Sequence, residues 1–184
     1  MFNYNYNYPT PQDFINAVNL IEQSVEGEQY DALFYEWLIN NIKTEGITSK
    51  QAKEIKDTII SIRDDEISHN KVFKEMYKIF TGKDANPEEE EFIPPASFAD
   101  GILMALNGEL NAVKRYRVIM GGMPNLAYRD MVFNILSDEL RHANLYNYIY
   151  NSFKALRLKT FFENIKRRFF IYLICPENIC FSKH

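Results

Sequence analysis

Apolar residues recur along most of this chain at spacings of three, four and seven, the pattern of helices that bury one face. Phe14, Val18, Ile21, Val25, Ala32, Tyr35 and Ile39 form the first stripe. Thr10-Pro11-Gln12-Asp13 stands ahead of it: a capping threonine, a proline suited to the first turn, and an acidic residue three after the cap. One helix is predicted from there to Gly46. Thr48-Ser49-Lys50-Gln51 opens a second by the same logic, carried through Ile55, Ile59, Ile62, Val72, Met76 and Ile79 to Gly82. Ser97-Phe98-Ala99-Asp100 starts a third that stops at Gly121-Gly122, and Pro124-Asn125 leads into a fourth, from Leu126 to at least Tyr150.

The connections set the expected topology. Short turns join the first helix to the second and the third to the fourth, so each pair is antiparallel. Between the pairs, residues 83–95 (KDANPEEEEFIPP) carry a charge run and three prolines and read as a polar linker. Fully extended, about 13 residues span roughly 40 Å, enough to return along the length of the helices. The expected fold is all-α, a four-helix bundle of two antiparallel hairpins joined by a long crossover, over residues 10–151. Residues 1–9, alternating asparagine and aromatics, form a leader. Residues 152–184 form a basic (Lys154, Arg157, Lys159, Lys166, Arg167, Arg168) and aromatic (Phe161, Phe162, Phe169, Phe170, Tyr172) extension. It continues the fourth helix, forms a fifth, or is a loosely ordered end. Packing on the bundle is its simplest use, and contact with a membrane surface or a partner the alternative.

Two Glu-x-x-His motifs lie on the second and fourth helices: Glu66-Ile67-Ser68-His69 and Glu139-Leu140-Arg141-His142. Each follows an aspartate, Asp65 or Asp138, and together they use two of the chain's three histidines. Residues three apart share a helix face, so the Glu and His of each motif reach one point. The first and third helices repeat in the same way. Gly27-Glu28 has Tyr35 seven residues on, and Gly108-Glu109 has Tyr116 seven residues on. At 1.5 Å per residue, Glu28 and Glu66 lie at similar heights, about 18 residues either side of the first turn. Glu109 and Glu139, about 12 and 14 residues from the second turn, match as well. All six side chains converge on one layer.

Four carboxylates and two imidazoles in a buried layer need counter-charge. Unpaired buried carboxylates repel one another and are costly to desolvate. Two divalent cations neutralise them and supply the missing partners. Mixed Glu and His ligation suits iron and manganese and admits zinc, and this arrangement on bundle helices is that of di-iron and di-manganese carboxylate proteins. The competing account is a structural polar layer, which a half-satisfied network makes costly. Glu22 and Glu26 compete with Glu28 for the first-helix position; the Gly-Glu repeat selects Glu28. Asp65 and Asp138 are placed to accept the outer N–H of the histidine on the partner helix, or else lie on a solvated face. Arg141 is expected in an ion pair rather than in catalysis.

On these residues the sequence resembles the rubrerythrin-like branch of the ferritin-like superfamily, over residues 11–150. Glu28, Glu66, His69, Glu109, Glu139 and His142 fall on that family's metal-ligand pattern. The resemblance implies a ferritin-like bundle with two iron ions, manganese being the alternative. It implies an oxidoreductase of oxidative stress that reacts with O2 or H2O2 as a peroxidase, oxidase or ferroxidase and draws on an external electron donor. Tyr35 and Tyr116 match tyrosines that hydrogen-bond ligand carboxylates in rubrerythrins; as core aromatics they need no such role. Two departures narrow the expectation. Rubrerythrins add a rubredoxin-like iron site with paired Cys-x-x-Cys motifs, and Cys175 and Cys180 cannot supply its four thiolates. They also carry a further Glu one turn after the third-helix ligand, where this chain has Ala112, so the redox-linked iron movement which that Glu supports is not expected. A homo-oligomer is expected, a dimer ahead of larger shells. From a different class, the alternative is a structural or interaction protein whose metals only stabilise the bundle. A dimanganese catalase is a third possibility.

Composition excludes more than it selects. The 184 residues suffice for one domain with a sizeable core. A net charge of −4 gives no electrostatic case for nucleic-acid binding. No apolar run approaches the roughly 20 residues of a membrane span. MFNYNYNYPT lacks the charged and apolar regions of a secretory signal. Two cysteines form no disulfide framework, which makes a reducing cytoplasm the expected location and ordinary thiols their expected state. His184 and the run Glu88–Glu91 are expected to be solvated.

Overall fold

The computed structural model describes residues 9–25, 28–43, 46–87 and 91–174. Among these the chain is all-helical: α1 (Pro11–Ser24), α2 (Glu28–Asn40), α3 (Ser49–Thr81), α4 (Phe98–Gly122) and α5 (Leu126–Ile174). The caps form where the sequence places them. Thr10 Oγ1 accepts from the Asp13 amide while the Asp13 carboxylate accepts from the Thr10 amide. Thr48 and Gln51 repeat that exchange at α3, and Ser97 Oγ accepts from the Asp100 amide at α4. Gly82 closes α3 in a left-handed conformation (φ 73°), its amide bonded to the Lys78 carbonyl.

Two apolar clusters build the core. The first joins Ala17, Ile21 and Val25 to Phe73, Met76 and Tyr77 of α3, Ala112, Tyr116 and Ile119 of α4, and Val132, Ile135 and Leu136 of α5. The second joins Phe34, Tyr35 and Leu38 of α2 to Ile55, Ile59 and Ile62, then Phe98, Ile102 and Ala105, and finally Tyr146 and Ile149. α3 and α4 therefore both run from the second cluster to the first, and α5 runs the other way. The connection between α3 and α4 must cover that distance. Ala85 packs on the first cluster, and Phe92 packs on the second, its ring 5.6 Å from Tyr30. On α3, α4 and α5, the residues between the two apolar sets include Glu66, His69, Glu109, Glu139 and His142. The apolar residues on either side hold this polar layer in mid-body.

Two expectations need correction. The first helix is not continuous. It stops at Ser24, restarts at Glu28 and ends at Asn40 rather than Gly46. Ser24 Oγ donates to the Leu20 carbonyl, an alternative to the helical ladder. Val25 turns extended (φ −77°, ψ 103°) with its amide reaching only Glu22, and Gly27 is a poor helix former. After the break the buried face passes to Phe34, Tyr35 and Leu38, and Ala32 is exposed. Ile79 also leaves the α3 stripe and is exposed, because His69, Phe73, Met76 and Tyr77 set the buried face there. Of the three alternatives for residues 152 onward, the structure shows the first, since α5 continues unbroken to Ile174. Most of the leader, Glu26, Gly27, Glu88 to Glu90, Cys175, Cys180 and His184 lie outside the described residues.

One close crossing invites a stability test. A Cβ at Gly122 would overlap the Asp13 carbonyl and stand 2.6 Å from the Ala17 Cβ. Both belong to α1, so relief requires a shift of backbone rather than of a side-chain tip. Gly122→Ala is expected to destabilise the chain by about 1–3 kcal/mol, read as a lower denaturant midpoint at unchanged slope. An unchanged midpoint would show that α1 moves freely on α4.

Candidate metal centre

Each functional side chain is set by apolar neighbours on its own helix. Glu66 and His69 lie between Ile62 and Phe73 on α3, Glu109 lies between Ala105 and Ala112 on α4, and Glu139 and His142 lie between Leu136 and Tyr146 on α5. Burial of those neighbours forces the polar residues inward. Glu139 is 1 % exposed and His142 fully buried. One oxygen or nitrogen from each of Glu66, Glu109, Glu139 and His142 lies within 4.8 Å of all the others, a grouping that can hold a metal ion.

The two Glu-x-x-His glutamates face both histidines. Glu66 presents Oε1 to His142 Nδ1 at 2.8 Å and Oε2 to His69 Nδ1 at 3.5 Å. Glu139 presents Oε1 to His69 Nδ1 at 3.1 Å and Oε2 to His142 Nδ1 at 3.6 Å. Glu109 joins on one side only, its Oε2 lying 3.8 Å from His142 Nδ1. Short as these separations are, they lack hydrogen-bond direction. Both Nδ1 atoms, both oxygens of Glu139 and Oε1 of Glu66 are buried without a hydrogen-bond partner among the described residues. Native interiors rarely leave such atoms unsatisfied. The orphaned atoms are the ones a metal would take, so the donor set fits a hard or borderline cation.

The outer nitrogens are occupied instead. His142 Nε2 lies 3.2 Å from Asp65 on α3, and His69 Nε2 lies 3.4 Å from Asp138 on α5. Each aspartate thus supports the histidine of the other helix, leaving Nδ1 as the inward atom. Arg141 ties the two supports together, with Nη2 at 2.5 Å from Asp65 and 3.4 Å from Asp138. Against some burial, His142 and Arg141 hold the Asp65 carboxyl below its usual range. Asp65→Asn is expected to weaken metal affinity by roughly 10–100-fold, measured by competition with a chromophoric chelator. Unchanged affinity would reduce Asp65 to an ion-pair partner of Arg141.

Burial opposes charge on both imidazoles, but the carboxylates around them prevail. Glu139 and Glu66 push His69 up to about 10, and Glu109, Glu139 and Glu66 push His142 up to about 12. Burial drives Glu109 up to about 9, opposed by His142 and helped by Glu139 and Glu66. The histidines overcome burial at Glu139 and lower it below the carboxylate range. Without metal, the cluster balances itself by holding protons on its bases.

Tyr35 and Tyr116 are both buried. Tyr116 packs against Phe73 at 4.9 Å between ring centres. Burial raises the Tyr35 hydroxyl well above its usual range, helped by Tyr146, Glu66 and Glu109. Tyr146 escaped the sequence analysis. It is fully buried, its hydroxyl has no directed hydrogen bond, and burial and Glu109 raise it likewise. Its signal was its place one turn after His142. A cavity of about 300 Å³ reaches Glu66, Glu109 and Glu139 from the side of α2 and α4, past Tyr30, Asp31 and Ala112. Asp31 also went unmarked, since only the cavity brings it near the cluster. Glu28 begins α2, and its side chain lies outside the described residues. Of its competitors, Glu22 accepts a 2.6 Å hydrogen bond from Tyr77.

No family model, no curated protein and no solved structure matches this chain.

Proposed function

We propose that Glu66, His69, Glu109, Glu139 and His142, with Glu28 from the start of α2, hold two iron ions, manganese being the alternative. On this proposal the chain is a ferritin-like, rubrerythrin-like oxidoreductase acting on O2 or H2O2. The observation that carries it is the division of Glu66 and Glu139, each offering one oxygen to each histidine nitrogen. That geometry defines two adjacent positions spanned by the same two carboxylates. Glu109 lies on the His142 side, and the internal repeat offers Glu28 as its counterpart. The helix directions and the long α3–α4 connection favour the ferritin-like arrangement.

A bound iron pair supplies the electrons for reducing O2 or peroxide. The chain's own residues do the remaining work. Asp65 and Asp138 fix the imidazoles, while the two apolar clusters close the layer at either end. The cavity beside Glu66 and Glu109 leaves room for a small oxidant, a water-sized molecule occupying roughly 30 Å³. Ala112 lines that cavity, so no carboxylate stands one turn beyond Glu109. That favours oxidase or ferroxidase chemistry over a peroxidase cycle built on iron movement.

Anaerobic loading with ferrous iron, followed by elemental analysis and optical spectra before and after O2 or H2O2, tests the proposal. The expected result is two irons per chain and a new near-ultraviolet absorption on oxidation. Bound metal indifferent to both oxidants would leave it a structural role.

A further inference from the structure

The helices that accompany α5 stop before it does. Phe98, the first residue of α4, meets Phe153 at 5.2 Å between ring centres. Ile47 and Gln51, at the start of α3, line a groove with Ser152 and Ala155. α5 nevertheless continues to Ile174, so residues 156–174, roughly 28 Å of helix, run on past these contacts. Among the described side chains from Lys154 to Lys166, only Ile165 is even half-buried. Leu158, Phe161 and Phe162 are 51 %, 57 % and 57 % exposed.

Leu158, Phe161 and Phe162 belong to an apolar pattern that continues along the helix. At 100° per residue, positions 158, 161, 162, 165, 169, 172 and 173 fall within roughly 60° of one direction. All seven are Leu, Ile, Phe or Tyr. Positions 157, 159, 166 and 168, all Arg or Lys, fall along the two edges of that face, roughly 80–100° from its centre. Phe170, Ile171 and Ile174 lie elsewhere on the helix, so its last turns are apolar on more than one side. Charge is divided the same way. Residues 152–184 hold seven Lys and Arg against two Asp and Glu, a charge of +5, which leaves −9 on residues 1–151.

An apolar stripe edged on both sides by cations suits the boundary of an anionic bilayer. Aromatic and aliphatic side chains enter the acyl region, and long basic side chains reach the phosphates. No helix among the described residues is long and apolar enough to cross a membrane, so the contact is one of surface. We propose that the overhanging part of α5 is an interfacial helix that docks this protein on an anionic lipid surface. A second copy of the chain, offering its acidic body to the same face, is the competing occupant. Basic residues on both edges of a stripe this narrow favour the lipid.

The test uses the full chain with vesicles of phosphatidylglycerol mixed with phosphatidylcholine, set against pure phosphatidylcholine. Binding to the mixed vesicles is expected to be stronger by roughly tenfold or more and to weaken with added salt. Phe161→Ser/Phe162→Ser and Lys166→Glu should each reduce that binding by roughly tenfold, at unchanged melting temperature and metal content. All three positions are exposed, so neither variant disturbs the core. Equal binding to both vesicles, or by wild type and variants, would overturn the proposal. So would a dimer, seen by light scattering, that only the Phe161→Ser/Phe162→Ser variant dissociates, because a second copy would then own the face.

Discussion

If the cluster holds two ions as proposed, Glu66→Ala is expected to release both from each chain, not one, and to abolish the thermal stabilisation they would confer. The two oxygens of Glu66 lie 2.8 Å from His142 Nδ1 and 3.5 Å from His69 Nδ1. Removing this carboxylate strips a ligand from each of two adjacent positions. Glu109 approaches only His142, so Glu109→Ala should cost one ion and leave the other. The size of the effect follows from linkage. With free ion at about 100 times its dissociation constant, each site adds about 2.7 kcal/mol. At roughly 2–4 °C per kcal/mol for a chain of this size, two ions raise the melting temperature by roughly 10–20 °C. Glu66→Ala should show almost none of that rise. Its metal-free form should also melt somewhat lower than the wild type, because His69 and His142, both protonated there, lose a buried carboxylate partner. Elemental analysis and thermal melts with and without metal give the answer. A Glu66→Ala protein that keeps two ions would sink the two-position assignment.

The second large effect is in pH. An imidazole nitrogen must shed its proton before it can take a metal. In the metal-free cluster His69 and His142 stand at about 10 and about 12, and Glu109 at about 9, so all three carry protons at neutral pH. Loading the pair therefore expels the two histidine protons and that of Glu109. Affinity for the pair should rise by roughly 1,000-fold per pH unit between about pH 6 and 8, tenfold for each proton released. The metal-free protein should respond in the opposite sense. Histidines raised in the folded state contribute stability fully below their ordinary value of 6.5, and lose it as pH climbs through about 10. Glu109, raised by burial, likewise loses stability as pH climbs from 4.5 through about 9. Metal-free protein should weaken toward alkaline pH, while loaded protein holds. Titration calorimetry in buffers of different ionisation enthalpy counts the protons directly. Affinity that stays flat from pH 6 to 8 would mean the histidines are not displaced from their protons by the ion.

Much of the site was legible in the chain because its grammar is local. Glu66 and His69, like Glu139 and His142, are three residues apart, and helical geometry alone puts each pair on one face. The duplication, with an aspartate before each motif, foretold a crossed support that the structure displays as His142 to Asp65 and His69 to Asp138. The caps at Thr10, Thr48 and Ser97 and the stop at Gly82 were equally local. Glu28 is a different case. The repeat selects it, yet the break at Ser24 makes it the first residue of a new helix rather than one inside a long helix.

Sequence by itself determined the helical class, the long connection, the doubled Glu-x-x-His pattern and the candidate donors, because periodicity, capping and i to i+3 spacing act within a few residues. Tertiary structure alone decided the rest. Which face of α2 is buried, with Phe34, Tyr35 and Leu38 inward and Ala32 exposed, depends on how that helix rests on α3 and α4. The inward turn of Tyr146 reflects α5 packing beside Tyr35. The cavity bordered by Asp31 and Ala112 exists only between α2 and α4. The division of each motif glutamate between two histidines is a matter of ångströms across helices 70 residues apart in the chain, set by which side chains fill the clusters above and below.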